Sequence, residues 1–114
     1  MDYQALGLGE AASIITAVTL DEDNQAIIIS CMYDPQDTQL LYKLFFKNCE
    51  HISWNKFDEF ADLHKLDAEL IGISLDESGP QKLAVITTDV FELSFFYGIF
   101  SLQTLTSTSY STHI

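Results

Sequence analysis

Runs of β-branched and aromatic residues recur along the whole chain, and clusters of turn-forming residues separate them. Residues 13–20 read SIITAVTL, residues 25–33 read QAIIISCMY, and the acidic turn DEDN at 21–24 lies between them. Two β-branched runs joined by a short polar turn are typical of a β-hairpin. We therefore predict a hairpin over residues 13–33 with a four-residue loop.

A second hairpin is predicted between residues 68 and 88. The segment 68–75 and the segment KLAVITT at 82–88 are strand-like, and the intervening DESGP at 76–80 is a strong turn signal. Alternation along the first of these strands predicts three inward-facing side chains, namely Ile71, Ile73 and Leu75.

The remaining strand signals lie in the middle and near the end of the chain. Residues 40–47 alternate between apolar and polar, and residues 50–54 alternate again after Asn48. The stretch 40–54 fits one long strand carrying a bulge, or two short strands. Alternation also predicts a strand over 91–97, and residues 99–105 continue as a last strand or extension.

Only one segment shows convincing helical spacing. Residues 56–66 place apolar or aromatic residues at i, i+3, i+4 and i+7, and Asn55 is an acceptable N-cap. The spacing predicts a short helix there, and residues 3–8 have a marginal helical signal. The side chains that form the predicted helical face are Phe57, Phe60, Ala61 and His64.

These signals together predict a mainly β fold, at the margin of the α+β class. Short strands at regular intervals, joined by tight turns, indicate an antiparallel β-sandwich or open barrel of about seven strands with one short helix. We expect residues 1–105 to form a single β-rich domain. The Ser/Thr-rich residues 106–114 are expected to be a frayed tail.

The charge balance limits the classes of partner. The chain has 17 acidic residues, five lysines and no arginine, so its formal net charge is −12. Nucleic acids and anionic membranes are bound by clusters of Lys and Arg, so we expect neither as a partner. A negative field favours a basic protein partner. The alternative is that the acids, which fall mainly in turns, serve solubility alone.

The cysteines and the apolar runs predict a cytoplasmic protein. No basic segment precedes an apolar one near the start of the sequence, so we expect no secretory signal. The longest apolar stretch, 91–102, is interrupted by Glu92 and is too short to span a bilayer. In a reducing compartment, Cys31 and Cys49 are expected to be free, buried thiols.

The block NCEHISW at 48–54 is the most distinctive candidate site. Cys49 and His51 share a face if the block is a strand, and Trp54 follows closely, so the three form a candidate pocket. No second pair of metal ligands accompanies them, and no catalytic motif occurs elsewhere. We therefore predict no metal, no cofactor and no enzymatic activity. The alternative is a packed cysteine beside a surface histidine, with the tryptophan in the core.

The aromatic segment 91–100 is a candidate interface. Phe95 and Phe96 are adjacent, so their rings point to opposite sides of a sheet, and either both faces are covered or one ring is exposed. An exposed aromatic patch would indicate self-association or a protein partner. The candidate interface residues are Phe95, Phe96, Tyr97 and Phe100.

Three segments carry a resemblance to known proteins: FFKNCEHISW, ELIGISLDE and AVITTDVFELSFFYG. Across residues 25–98 the chain resembles small acidic bacterial β-rich proteins of unassigned function, some of which are similar to immunity proteins of toxin systems. The resemblance implies a non-catalytic protein-binding role, and it assigns no functional residue.

Three functional hypotheses follow. The first is a non-catalytic interaction module, immunity-like, whose acidic surface binds a basic protein. The second is a self-associating structural domain, most simply a homodimer. The third is a small-molecule-binding domain or accessory enzyme subunit that uses a cavity near Cys49, His51 and Trp54.

Overall fold

The computed structural model describes residues 12–37, 39–57 and 62–105. These residues form eight strands, and all the strand pairs are antiparallel. The strands are β1 (Ser13–Asp21), β2 (Ala26–Tyr33), β3 (Leu40–Lys47), β4 (Glu50–Lys56), β5 (Ala68–Asp76), β6 (Lys82–Thr88), β7 (Phe91–Tyr97) and β8 (Ile99–Leu105).

The strands form one sheet in the order β4-β7-β6-β5-β1-β2-β3-β8, with β4 and β8 at its two ends. Strands β1 and β5 join its halves through only two residue pairs. We call β1, β2, β3 and β8 the β3 half, and β4, β5, β6 and β7 the β7 half. The ring centroids of Phe46 in β3 and Phe95 in β7 are 4.8 Å apart. The sheet therefore curls so that its two halves share one core.

Both predicted hairpins are confirmed. Asp21 pairs with Ala26, which leaves the four-residue loop 22–25, and Asp76 pairs with Leu83 across the second turn. Local sequence specifies such hairpins, because β-branched residues favour the two strands and Asx-type turns favour the reversal between them. In the second turn, the Asp76 carboxylate accepts hydrogen bonds from the Ser78 backbone N–H at 2.9 Å and the Ser78 hydroxyl at 2.6 Å.

Residues 40–56 form two strands that bend at Asn48 and Cys49. Lys47 pairs with Ile99 before the bend and Glu50 pairs with Phe96 after it, so β3 and β4 together follow β8 and β7 around a corner. Gly98 lies inside this corner, where an added Cβ would be 3.1 Å from the Asn48 Cβ. Because Asn48 lies this close, the corner favours glycine at position 98 over any residue with a side chain.

A β-bulge in β5 overturns the predicted orientation of Ile71. Leu70 pairs with Thr88 and Gly72 pairs with Thr87, so Ile71 is an extra residue in the ladder. The side chain of Ile71 is 56% exposed, whereas Leu70 and Ile73 are buried. A bulge shifts the alternation by one residue, and the prediction of three inward residues is right only for Ile73 and Leu75.

The helix predicted over residues 56–66 is not found in the described residues, which exclude 58–61 and the marginal helical signal at 3–8. The Phe57 N–H donates to the Val90 carbonyl at 2.7 Å, which continues the pairing of β4 with β7. The Leu66 N–H donates to the Thr16 carbonyl at 2.8 Å. Lys56 thus belongs to β4, and the Leu66 N–H is not available for a helical bond to the carbonyl four residues earlier.

The mainly β class is confirmed, while the predicted sandwich or open barrel and the short helix are not. The core is a single cluster of buried side chains from β1, β2, β3, β5, β6 and β7, against which half-buried side chains of β4 and β8 pack. Its largest fully buried side chains are Tyr42, Phe46, Phe91 and Phe95. The tail at 106–114 lies outside the described residues. In the part of the chain that the structure describes, no helix is long and apolar enough to span a membrane.

Candidate functional site

The candidate site lies where the tip of the first hairpin meets the start of β4. The Cys49 N–H donates to the Gln25 carbonyl at 2.8 Å and ties the corner to the hairpin. Three non-glycine residues here, Gln25, Asn48 and His51, have positive φ angles of 52°, 58° and 54°. Non-glycine residues adopt this conformation only where surrounding structure enforces it, and such residues cluster at functional sites.

The corner contains a cleft with a volume of about 430 Å³, which we call the β4 cleft. A cleft of this size is in the range of ligand-binding pockets. It contains all three residues that the sequence grouped as a candidate pocket. Its lining consists of Leu20, Asp21, Glu22, Gln25, Ala26, Cys49, Glu50, His51, Ile52 and Trp54.

The apolar wall of the β4 cleft is formed by Leu20, Ile52 and Trp54. Trp54 is half-buried, and its ring meets the buried Phe91 ring in a T-shaped contact at 5.3 Å. Ile52 is 41% exposed. Trp54 therefore packs against the core and also lines the cleft, which combines the two alternatives drawn from the sequence.

Three carboxylates form the acidic rim of the β4 cleft, those of Asp21, Glu22 and Glu50. The Asn24 side-chain amide donates to Asp21 Oδ2 at 2.8 Å, and the Asn24 backbone N–H donates to Oδ1 at 3.3 Å. These bonds lower the pKa of Asp21 below its ordinary value. Asp21 therefore remains negatively charged at neutral pH.

Cys49 and His51 occupy different environments within the cleft. Cys49 is buried, and burial raises the pKa of its thiol. A neutral thiol is a weak nucleophile and a weak metal ligand. His51 is exposed at the β-bulge of β4, where its ring meets the Phe96 ring at 5.7 Å. Within the described ranges, no three His, Cys, Asp or Glu side chains are placed to hold a metal ion.

The four aromatic residues of the candidate interface differ in burial. Phe95 and Tyr97 are buried, while Phe96 and Phe100 are half-buried. The Tyr97 hydroxyl donates to Glu77 Oε2 at 2.9 Å, and burial together with this carboxylate raises the pKa of Tyr97 to about 12. Phe95 and Tyr97 therefore belong to the core, and only Phe96 and Phe100 of the candidate interface keep exposed surface.

The hairpin side of the β4 cleft was missed by sequence reasoning. Leu20, Gln25 and Ala26 belong to a local hairpin that the sequence indicates as an ordinary solvated turn. Their role depends on contact with β4, more than twenty residues away along the chain. The alternating pattern indicates the hairpin but carries no signal for this long-range contact.

Two other depressions flank the same corner. One of about 510 Å³ includes Ile28, Phe45 and Lys47, and one of about 280 Å³ includes Lys82 and Phe96. Each combines a lysine with carboxylate or amide neighbours. The β4 cleft differs because it combines three carboxylates with an apolar wall that includes the single tryptophan.

No protein-family model matches this chain, and no curated protein matches its sequence.

Proposed function

We propose that the protein is a non-catalytic interaction module that binds a basic protein partner through the β4 cleft. The observation that carries the proposal is the placement of Asp21, Glu22 and Glu50 around an apolar wall that contains Trp54. A lysine or arginine side chain has an apolar stem and a cationic head. Such a side chain would place its stem against the wall and its charge among the carboxylates.

The composition of the whole chain supports a basic partner. A net charge of −12 attracts cationic surfaces over distances up to about 10 Å at moderate salt. Trp54 adds a cation–π contribution where a cation lies over its ring. The field would accelerate the encounter, and the cleft would give the complex its orientation.

The fluorescence of Trp54, the single tryptophan, provides a direct test. We expect titration with an oligolysine peptide to change the emission, and an oligoglutamate peptide to leave it unchanged. Binding should weaken as salt rises, because the attraction is screened.

Glu50→Gln should weaken oligolysine binding by about threefold to tenfold, the effect of losing about 1 kcal/mol of ionic attraction. Glu69→Gln is the matched control, since Glu69 is also an exposed strand glutamate and lies outside the cleft. Equal effects of the two variants, or no response of Trp54 to the basic peptide, would contradict the proposal.

A further inference from the structure

In the part of the chain that the structure describes, the end strand β8 has a free edge. Among the described strands, β8 pairs only with β3, through seven consecutive pairs from Leu41–Leu105 to Lys47–Ile99 without a register shift. No described strand pairs with its other side. The backbone N–H and C=O groups on that side form a regular row about 23 Å long, at the usual rise per strand residue.

Within the described residues, β8 itself contains none of the sequence features that normally prevent edge-to-edge pairing. Proteins protect free edges with charged side chains, proline, bulges or short strands. The β8 sequence, IFSLQTL, contains no charge, no proline and no glycine. Ser101 and Gln103 are exposed, and Ile99 is 54% exposed.

The other end strand, β4, is protected in three ways. It contains the charged residues Glu50 and Lys56. Its ladder with β7 is interrupted by a register shift between Glu50 and Ser53, and His51 within that interval has a positive φ. The contrast between the two end strands identifies β8 as the edge available for pairing.

The charge distribution favours a second copy of this chain as the occupant. The adjacent strands β1, β2, β3 and β8 contain a single acidic residue, Asp21 at the hairpin tip, although the whole chain carries a net charge of −12. Lys43 and Lys47 lie on β3 beside β8, and the Lys82 ammonium donates to the Gly98 carbonyl at 3.2 Å. Two copies can therefore approach along β8 with no acidic residue on the strand of contact or on its neighbour β3.

We infer that β8 pairs with β8 of a second copy, antiparallel across a twofold axis. In such an interface each residue faces a residue of the same strand, so a charged side chain near the axis would meet its own like charge. The uncharged sequence of β8 meets this requirement. The contact is small, so the dimer forms in a concentration-dependent equilibrium. It does not involve the β4 cleft and does not rest on the proposed function.

Sedimentation equilibrium across a wide concentration range tests this inference. We expect a reversible monomer–dimer equilibrium for the unmodified chain. Ser101→Lys with Gln103→Lys should raise the dimer dissociation constant by about tenfold or more, because the lysines of one β8 strand would face the lysines of the other. The matched control is Ser53→Lys with Asn55→Lys, which places the same charges at exposed positions of the β4 edge.

The control variant should dimerise like the unmodified chain, and circular dichroism should show that both variants are folded. Added salt should strengthen the dimer by screening the net charge, whereas it weakens oligolysine binding. A monomer at every concentration would overturn the inference. A dimer that persists in the β8 variant, or that is lost only in the β4 variant, would also overturn it.

Discussion

The hydroxyl of Thr88 organises the turn between β6 and β7. It accepts hydrogen bonds from the N–H groups of Val90 at 3.1 Å and Phe91 at 2.9 Å, and it donates to the Phe91 carbonyl at 3.0 Å. Thr88 is only 1% exposed. A buried side chain thus supplies the turn with hydrogen bonds that water cannot replace.

Thr88→Val should therefore destabilise the folded protein, although valine has nearly the same shape as threonine. We expect the free energy of unfolding in urea to fall by about 2–4 kcal/mol, because buried donors lose their acceptor. Thr87→Val, at the half-buried neighbour on the opposite face, should change it by about 0.5 kcal/mol or less. Similar losses for the two variants would contradict this role of the Thr88 hydroxyl.

The Tyr97 hydroxyl makes stability depend on alkaline pH. Its pKa is raised to about 12, above the value of about 10 in an unfolded chain. The folded state thus favours the protonated phenol, and the resulting stability is present below pH 10 and lost as the pH rises towards 12. Unfolding measured in urea at a series of pH values should show this loss.

Tyr97→Phe isolates the effect from other groups that titrate in the same range. The stability difference between the unmodified chain and the variant should be constant below pH 10 and should shift in favour of the variant above it. A pH-independent difference would show that Tyr97 does not carry the effect.

Among the strands, β5 allows the most direct test of strand register, because its bulge determines which isoleucine faces the core. The bulge places Ile71 outside and Ile73 inside. Ile73→Ala should lower the free energy of unfolding by about 2–4 kcal/mol through lost burial and a cavity. The identical substitution Ile71→Ala should change it by about 0.5 kcal/mol or less. Thermal and urea unfolding would check both values, and similar losses for the two variants would indicate the unbulged register, in which both side chains face inward.

The strands also show which parts of the fold can be predicted from the sequence and which cannot. Both hairpins were predictable because their turns and alternation are local, and the inward face of β7 follows from alternation alone. The bulge at Ile71 and the strand-like bonding of Phe57 and Leu66 depend on partners distant in the chain. The β4 side of the cleft could be predicted, since Cys49, His51 and Trp54 are close together in the sequence. The hairpin side, which includes Leu20, could not, because it is distant from β4 along the chain.

At the scale of the whole molecule, Phe46 connects the two halves of the curled sheet. Its ring lies 4.8 Å from Phe95, 5.4 Å from Tyr97 and 4.9 Å from Phe100. Residues of both halves thus depend on one aromatic cluster, and edge-to-face contacts add to its burial energy. Only two residue pairs link β1 to β5, so side-chain contacts such as this cluster contribute to the cohesion between the halves.

Phe46→Ala should lower the free energy of unfolding by about 3–5 kcal/mol. In the unmodified chain, unfolding followed by Trp54 fluorescence, which reports the β7 half, should coincide with unfolding followed by far-ultraviolet circular dichroism. Separate transitions for the two probes would show that the halves unfold independently and that the shared core does not couple them.

The net charge of −12 predicts how stability responds to salt. Asp21, Glu22 and Asp23 lie together at the tip of the first hairpin, where like charges repel within a few residues. Raising the ionic strength from about 10 mM to 1 M shortens the screening length from about 30 Å to 3 Å, so the melting temperature should rise. Asp23→Asn should raise it at low salt and have no effect at high salt, since the removed repulsion is already screened there. A melting temperature that falls with salt would mean that attractive ion pairs outweigh the self-repulsion of the acidic turns.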